Sequence, residues 1–563
     1  MKRILSILFV LAVMTGGIIH AQDDTPPAGV FALATLVPAD SISYIGLKID
    51  DATIAEIDGL LARAAGLAAQ FGAPAPEVPT VRSVLASGAV TPETVDMFLA
   101  GAGDTMGYSV NGPNAVSPDL GLVFISVDDR ALIGKALAGL GFAEGEARGS
   151  YAVFSNGTQT ALLNDTIMIV GAGTAGGSLD LMVGGDYPRL TRDASFSAGL
   201  GGLPVSDYGL GLFTRGSTFN QTAGMPVPVE SVMAGAVLLD GDTLTIDVVL
   251  SGPAIGRSAG AVDPAFRRFV PAGATALIHS AGLGTNLTML IDYLPVLSGS
   301  GVNPREQVSG LMSGFGLDLD ELLAWTAGDF AVFGRVDMAA LVQGGMASPM
   351  DNAMVEGAIG FGAAIETDNP EATQRFQLAV ASLFRLMANQ VPGMTLGEEE
   401  ISGVTAGVVT IQAEGISSGL TFKLAFAATD EVFVIGTYDM VAASLSQSDG
   451  FESSTLVLDA SRYWLADASS VALVDGATLL QFGAFGSLVV LGPAIGNVFA
   501  SITDSLEGNA PQPTPTPSLG AFSSPEQLAA LLEQLSSIFR HATISGRPTD
   551  AGIVLRATIT LGE

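Results

Sequence analysis

The feature that most constrains this chain is an internal repeat. Val37-Pro38-Ala39 opens a strand-like run (SISYIGLKI), Val270-Pro271-Ala272 opens another (ATALIHSAG), and a helical pattern follows each. Ala102-Gly103-Asp104 and Ala327-Gly328-Asp329 both come after an apolar helical stretch and before a strand. Asn164 to Gly171 (NDTIMIVG) matches Thr429 to Gly436 (TDEVFVIG) without a gap, and Asp193-Ala194-Ser195 matches Asp459-Ala460-Ser461. Each copy ends on a hairpin-like pair, at 234–250 and 541–561. No single match is specific, but their common order is. The 563 residues are enough for several cores, and the repeat divides them into a leader (1–21), a first unit (30–252), a linker (253–262) and a second unit (263–563). The second copy is the longer. It adds a Met- and Gly-rich loop near 340–356, the Glu398-Glu399-Glu400 run, and a helical insert with a Pro/Thr-rich loop over 476–540. Within that loop, PQPTPTPS at 511–518 has the composition of a polyproline spacer.

Helix and strand signals mix within each copy. Ile54, Ile57, Leu60, Leu61, Leu67 and Phe71 form a helical stripe. Thr91-Pro92-Glu93 and Asn369-Pro370-Glu371 place a capping residue before proline at a helix start, while Asp318 with Glu321 and Ser524 with Gln527 have capping-box spacing. GLVFISV (121–127), DTIMIVG (165–171) and TLTIDVVL (243–250) predict strands, and Asp240-Gly241 predicts a tight turn joining antiparallel neighbours. Sequential strands with few regular crossover helices predict α+β: two tandem units, each a largely antiparallel sheet covered by helices.

The first residues predict an extracytoplasmic address. Lys2 and Arg3 precede a short apolar run from Ile4 to Met14, and Ile19-His20-Ala21 offers a small residue for cleavage near Ala21. The run is short for a membrane span, which needs about 20 residues, so a cleaved signal peptide is expected. With no cysteine in the chain, disulfides, thiol catalysis and a cysteine-linked lipid anchor are excluded. A formal charge of −33 and the lack of a basic cluster argue against nucleic acid as a partner.

The VPA-opened strand, the GLDLDELLAWTAGD stretch at 316–329 and the duplicated layout resemble a bacterial extracytoplasmic domain-of-unknown-function family. The resemblance implies the architecture and the location, and it carries over no functional residue.

Three motifs suggest chemistry, and each has a plainer reading. Gly171, Gly173 and Gly176 form GxGxxG after a strand, but the helical stretch that follows is short and the second copy has Gly436-Thr437-Tyr438-Asp439 there, so a strand-to-helix turn is expected. Gly256-Arg257-Ser258-Ala259-Gly260 forms GxSxG inside the linker, with no strand-to-helix elbow around Ser258. Beyond the leader the bases are His279, within an apolar strand, and His541, beside Arg540; both are expected to be structural or solvent-facing. No metal motif of known spacing occurs. Asp128-Asp129, Asp318 with Asp320, and Asp240 with Asp242 are explained by capping and turns, leaving only loose calcium binding open. Trp325 and Trp464 are the only large stacking platforms for a sugar.

From Gly476 to Thr503 no residue is charged, and Phe482, Phe485, Val489 and Phe499 recur at roughly helical spacing. Glycines, Pro493 and the absence of flanking cations argue against a membrane span and for a buried or partly exposed helical insert. These four residues are the candidate apolar groove. The sequence reading is therefore a secreted or periplasmic, non-enzymatic binding or envelope-associated structural protein. It needs no cofactor and takes an apolar small molecule or envelope component. The alternative is an extracytoplasmic hydrolase whose carboxylates converge only in the fold.

Overall fold

The computed structural model describes residues 28–479 and 539–562, apart from 71–79, 87–89, 112–120, 173–175, 206, 217–230, 252–259, 289–290, 292–303, 315–317, 338–356, 413–420, 448–449 and 550–551. The leader, the Ser258 motif, the proline-rich segment, the Ser524 cap and Phe482, Phe485, Val489 and Phe499 lie outside the described residues.

Among the described residues, runs in which large apolar residues alternate with small or polar ones form ten strands in the first half. These are β1 (Ser41–Lys48), β2 (Ala102–Asn111), β3 (Gly121–Val127), β4 (Ala143–Glu144), β5 (Ala152–Ser155), β6 (Gln159–Leu163), β7 (Ile167–Ala172), β8 (Leu210–Arg215), β9 (Val232–Asp240) and β10 (Thr243–Ser251). Their order across the sheet is β4-β5-β6-β7-β3-β2-β1-β8-β9-β10, antiparallel throughout. The second half forms β11 (Ala276–Ser280), β12 (Phe330–Val336), β13 (Ile359–Glu366), β14 (Met394–Ile401), β15 (Val404–Gln412), β16 (Thr421–Ala428), β17 (Val432–Thr437), β18 (Ser470–Asp475), β19 (Phe539–Thr549) and β20 (Gly552–Leu561). Its order is β14-β15-β16-β17-β13-β12-β11-β18-β19-β20, the same path with ten added to every strand number. β10 and β20 pair with each other, so the two halves form one sheet. The protein is α+β, built on a large antiparallel sheet.

The register recurs as well as the order. Leu47 pairs with Met106 and Leu210; Ser280 pairs with Phe330 and Ser470. Leu47 and Ser280 stand as far apart in sequence as Val37 and Val270, and Met168 and Phe433 as far apart as Asn164 and Thr429. The turn before β7 uses the Asn164 side chain to accept from Thr166 and Ile167, and the turn before β17 uses Thr429 in the same way for Glu431 and Val432. Two sequence matches do not correspond in position. With Met106 and Phe330 equivalent by pairing, Ala102-Gly103-Asp104 stands one residue out of step with Ala327-Gly328-Asp329. Asp193 caps the Ala194–Gly201 helix, but the matching cap of the Thr455–Ala460 helix is Ser454, and Asp459 lies in that helix's last turn, paired with Arg462. Helix starts follow capping geometry, which a three-residue likeness does not encode.

The inner face of the sheet carries Tyr44, Phe124, Ile169 and Phe213 in the first half and Leu277, Phe333 and Val434 in the second. Over them pack the short 3-10 segments Gly29–Leu36 and Pro264–Phe269 and the helices Ala194–Gly201, Tyr438–Ser446 and Thr455–Ala460. Close packing makes Gly436 necessary, because a Cβ there would stand 2.3 Å from the Phe361 carbonyl oxygen. The outer face is covered at its two ends. Ile125 and Met168 lie under the helices Pro92–Gly101 and Arg130–Gly139, and Phe433 and Phe426 under Leu319–Trp325 and Pro370–Ala388. All four helix starts are capped by side chains, from Thr91, Asp129, Asp318 and Asn369 in turn. Glu321 does not complete a capping box; its carboxylate pairs with Arg375 of the Pro370–Ala388 helix.

Candidate functional site: an apolar strip across the outer face

Between the two helix-covered ends, the outer face is an apolar strip. A single row of cross-strand neighbours runs Met106, Leu47, Leu210, Val237, Ile246, Ala557, Ile544, Ala472, Ile278, Val332, Ala363. No member is charged or polar. The next row includes Ile45, and the strip continues to Phe361 beside Gly334. Exposure is substantial where it matters: Ile45 39%, Ile278 42%, Val332 45% and Phe361 47%. Ile553 and Leu555 are the exception, buried with Val248 and Leu250 as a small cluster of their own. Antiparallel sheets with one solvated face usually turn polar side chains to it, so this strip needs a reason.

The polar residues of the central strands β10, β19 and β20 point inward. Thr243, Thr245, Asp247, His541, Thr543, Ser545, Thr558 and Thr560 are all buried. Burial of the Asp247 charge is tolerable because partners are supplied. Arg556 donates from Nε to Asp247 Oδ1 and from Nη2 to Oδ2, both at 2.8 Å, and the Tyr208 hydroxyl donates to Oδ2 at 2.7 Å. The bond to Asp247 holds the Arg556 guanidinium even more firmly protonated than usual. Burial, reinforced by the Asp247 carboxylate, pushes the Tyr208 hydroxyl well above the ordinary phenol range.

The histidines are engaged elsewhere. His279 is fully buried; Arg267 Nε donates to its Nδ1 at 3.3 Å, which places the ring proton on Nε2, 2.8 Å from Asp329 Oδ2. Asp329 also accepts from the Asp263 backbone at 2.6 Å. Both ring nitrogens are thus used, and a general base needs one free towards a substrate. His541 Nε2 lies 3.3 Å from Thr560 Oγ1 and its Nδ1 lies 3.6 Å from Asp459. Burial lowers its pKa from the usual 6.5, outweighing the nearby Asp459 carboxylate. His541 is buried, not solvent-facing as one branch of the sequence reading allowed, because alternation along β19 turns it inward with Thr543.

Other candidates resolve into structure. Asp129 and Asp318 are helix caps, Asp320 pairs with Arg305, and Gly241 takes φ +59 at the first loop position of the β9–β10 turn. Among the described residues no cluster of three or more His, Asp or Glu is placed to hold a metal ion. Trp325 is buried against Phe376, which leaves it no face for a sugar. Among the described residues no helix is long and apolar enough to cross a membrane.

Sequence reasoning placed the apolar surface in 476–503 and did not name the strip. Its signal was present: Leu244, Ile246 and Val248 alternate with Thr243, Thr245 and Asp247.

No protein-family model and no curated protein matches the chain. Among solved structures, TP0453 in crystal forms III and IV overlaps 39% of this chain and 78% and 79% of its own, at 9% and 10% identity and TM-scores of 0.26 and 0.27. At such TM-scores the likeness carries no argument.

Proposed function

We propose that this is a non-enzymatic, extracytoplasmic binding protein of the cell envelope, made of two homologous α+β units, that takes an acyl-chain-bearing ligand on the outer strip. The observation that supports the ligand is the eleven-strand row from Met106 to Ala363 without a charged or polar side chain. An acyl chain needs no hydrogen-bond partner, and covering Ile278 and Val332 with one gains roughly 25 cal/mol for each Å² removed from water. The leader supports the address, and the repeated register supports two homologous units. The engagement of His279 and His541 with buried partners supports the non-enzymatic part.

The test is native mass spectrometry of gently purified protein, joined to titration with the apolar fluorophore N-phenyl-1-naphthylamine. A co-purifying lipid-sized mass is expected. Ile278→Glu should weaken probe binding about tenfold or more, because bound acyl surface would then face a charge. Circular dichroism should stay unchanged. Wild-type protein that takes up neither lipid nor probe sinks the reading.

A further inference from the structure

The joint between the halves carries a side-chain code of its own. At the start of β10 and of β20 the paired residues stand three apart, since Asp240 pairs with Thr243 and Thr549 with Gly552. Thr243 and Gly552 therefore hold equivalent places, and counting onward from them makes Asp247 the equivalent of Arg556. These two residues are also direct partners across the joint. A local two-fold axis thus passes between them, at the one position where a strand meets its own counterpart.

The side chains at this axis are opposite in charge, with Asp247 fully buried and Arg556 largely so. On the inner face the joint sets Thr245 against Thr558, Asp247 against Arg556 and Val249 against Val554. Two β10 strands meeting in the same register would set Asp247 against Asp247 and Thr245 against Val249. Two β20 strands would set Arg556 against Arg556 and Val554 against Thr558. Either arrangement leaves like charges facing each other in a desolvated site and a hydroxyl against an apolar group. Only the mixed pair matches at all three positions.

We propose that Asp247 and Arg556 make the joint selective for the unlike half, so that the last strand of each half refuses its counterpart in a second copy. Without that refusal, equivalent strands ending two similar sheets would cross-pair between molecules and leave open edges that propagate.

The test uses the full chain with Asp247→Arg and Arg556→Asp, made singly, combined in one chain, and as two singly substituted chains expressed together. Each single variant should lose roughly 10 °C in melting temperature. It should also leave the monomer peak in size exclusion. The combined reversal should recover monomer and most of the melting temperature; Tyr208 can then accept from the arginine instead of donating to a carboxylate. Expressed together, the two single variants should give a one-to-one two-chain species by native mass spectrometry, since each carries the charge that the other's joint lacks. Single variants that stay monomeric at the wild-type melting temperature overturn the proposal. So does a combined reversal no better than either single change, or co-expression that yields no mixed species.

Discussion

The two halves share a strand order and register yet differ in size, and the difference is not spread evenly. Next to the joint they are close to equal: β9 and β10 have 9 residues each, β19 and β20 have 11 and 10. At the far edges they diverge. β4 and β5 have 2 and 4 residues where β14 and β15 have 8 and 9, and the helix after β3 has 10 residues where the helix after β13 has 19. A strand inside a sheet is hydrogen-bonded on both sides, so changing its length disrupts two ladders; an edge strand disrupts one. Growth is therefore tolerated at the rim and resisted at the joint. The long edge of the second half has its own protection, as Glu398, Glu399 and Glu400 on β14 are exposed and discourage pairing with a further strand.

Asp247→Ala is the sharpest way to break this comparison. It strands Arg556 and the Tyr208 hydroxyl in the joint, for an expected loss of about 3–5 kcal/mol in chemical denaturation. Glu399→Ala on the edge strand should stay within about 0.5 kcal/mol. Equal losses would show that centre and rim are not energetically distinct.

A second contrast sets the two faces against each other at adjacent residues. Leu277→Ala opens a cavity in the inner core and should cost about 2–5 kcal/mol, whereas Ile278→Ala on the strip should cost under about 1 kcal/mol. Equal costs in thermal melts would mean the strip is as closed as the core.

The caps test whether equivalent positions carry equivalent energy. Asp129→Ala and Asn369→Ala each remove the acceptor for the first-turn N–H groups and should each cost about 1 kcal/mol by urea titration. A large inequality would assign the extra energy to the longer second helix.

The smallest expected effect is one of pH. His541 has a folded-state pKa below 6.5, first because it is buried, with Arg540 and Arg462 adding to the shift and Asp459 and Asp242 opposing it. Between the folded value and 6.5 the unfolded chain binds more protons, so stability is complete above pH 6.5 and is lost as pH falls through that window. His541→Gln removes this titration. The melting temperature of wild type relative to the variant should therefore fall as pH drops below 6.5, and a flat difference would refute the assignment.

Much of this fold can be read from residues alone. The Thr91, Asp318 and Asn369 caps, strands β3, β7 and β10 and the Gly241 turn stand where local chemistry puts them, since each rests on a few consecutive residues. The Asp193–Asp459 match misled because short likenesses carry no geometry.

Two things were decided only by the tertiary structure. Strands such as TLTIDVVL announce two faces, one apolar and one polar, and the usual expectation turns the polar face to water. Here Thr245, Asp247 and Thr558 are buried while Ile246 and Ile278 are half open. The choice falls this way because Arg556 and Tyr208, 309 residues ahead of Asp247 and 39 behind it, converge to satisfy its carboxylate. The pairing of β10 with β20 is equally invisible locally, for it joins residues at the ends of separate halves. Alternation is a property of neighbouring residues; which face meets water depends on partners that only folding brings together.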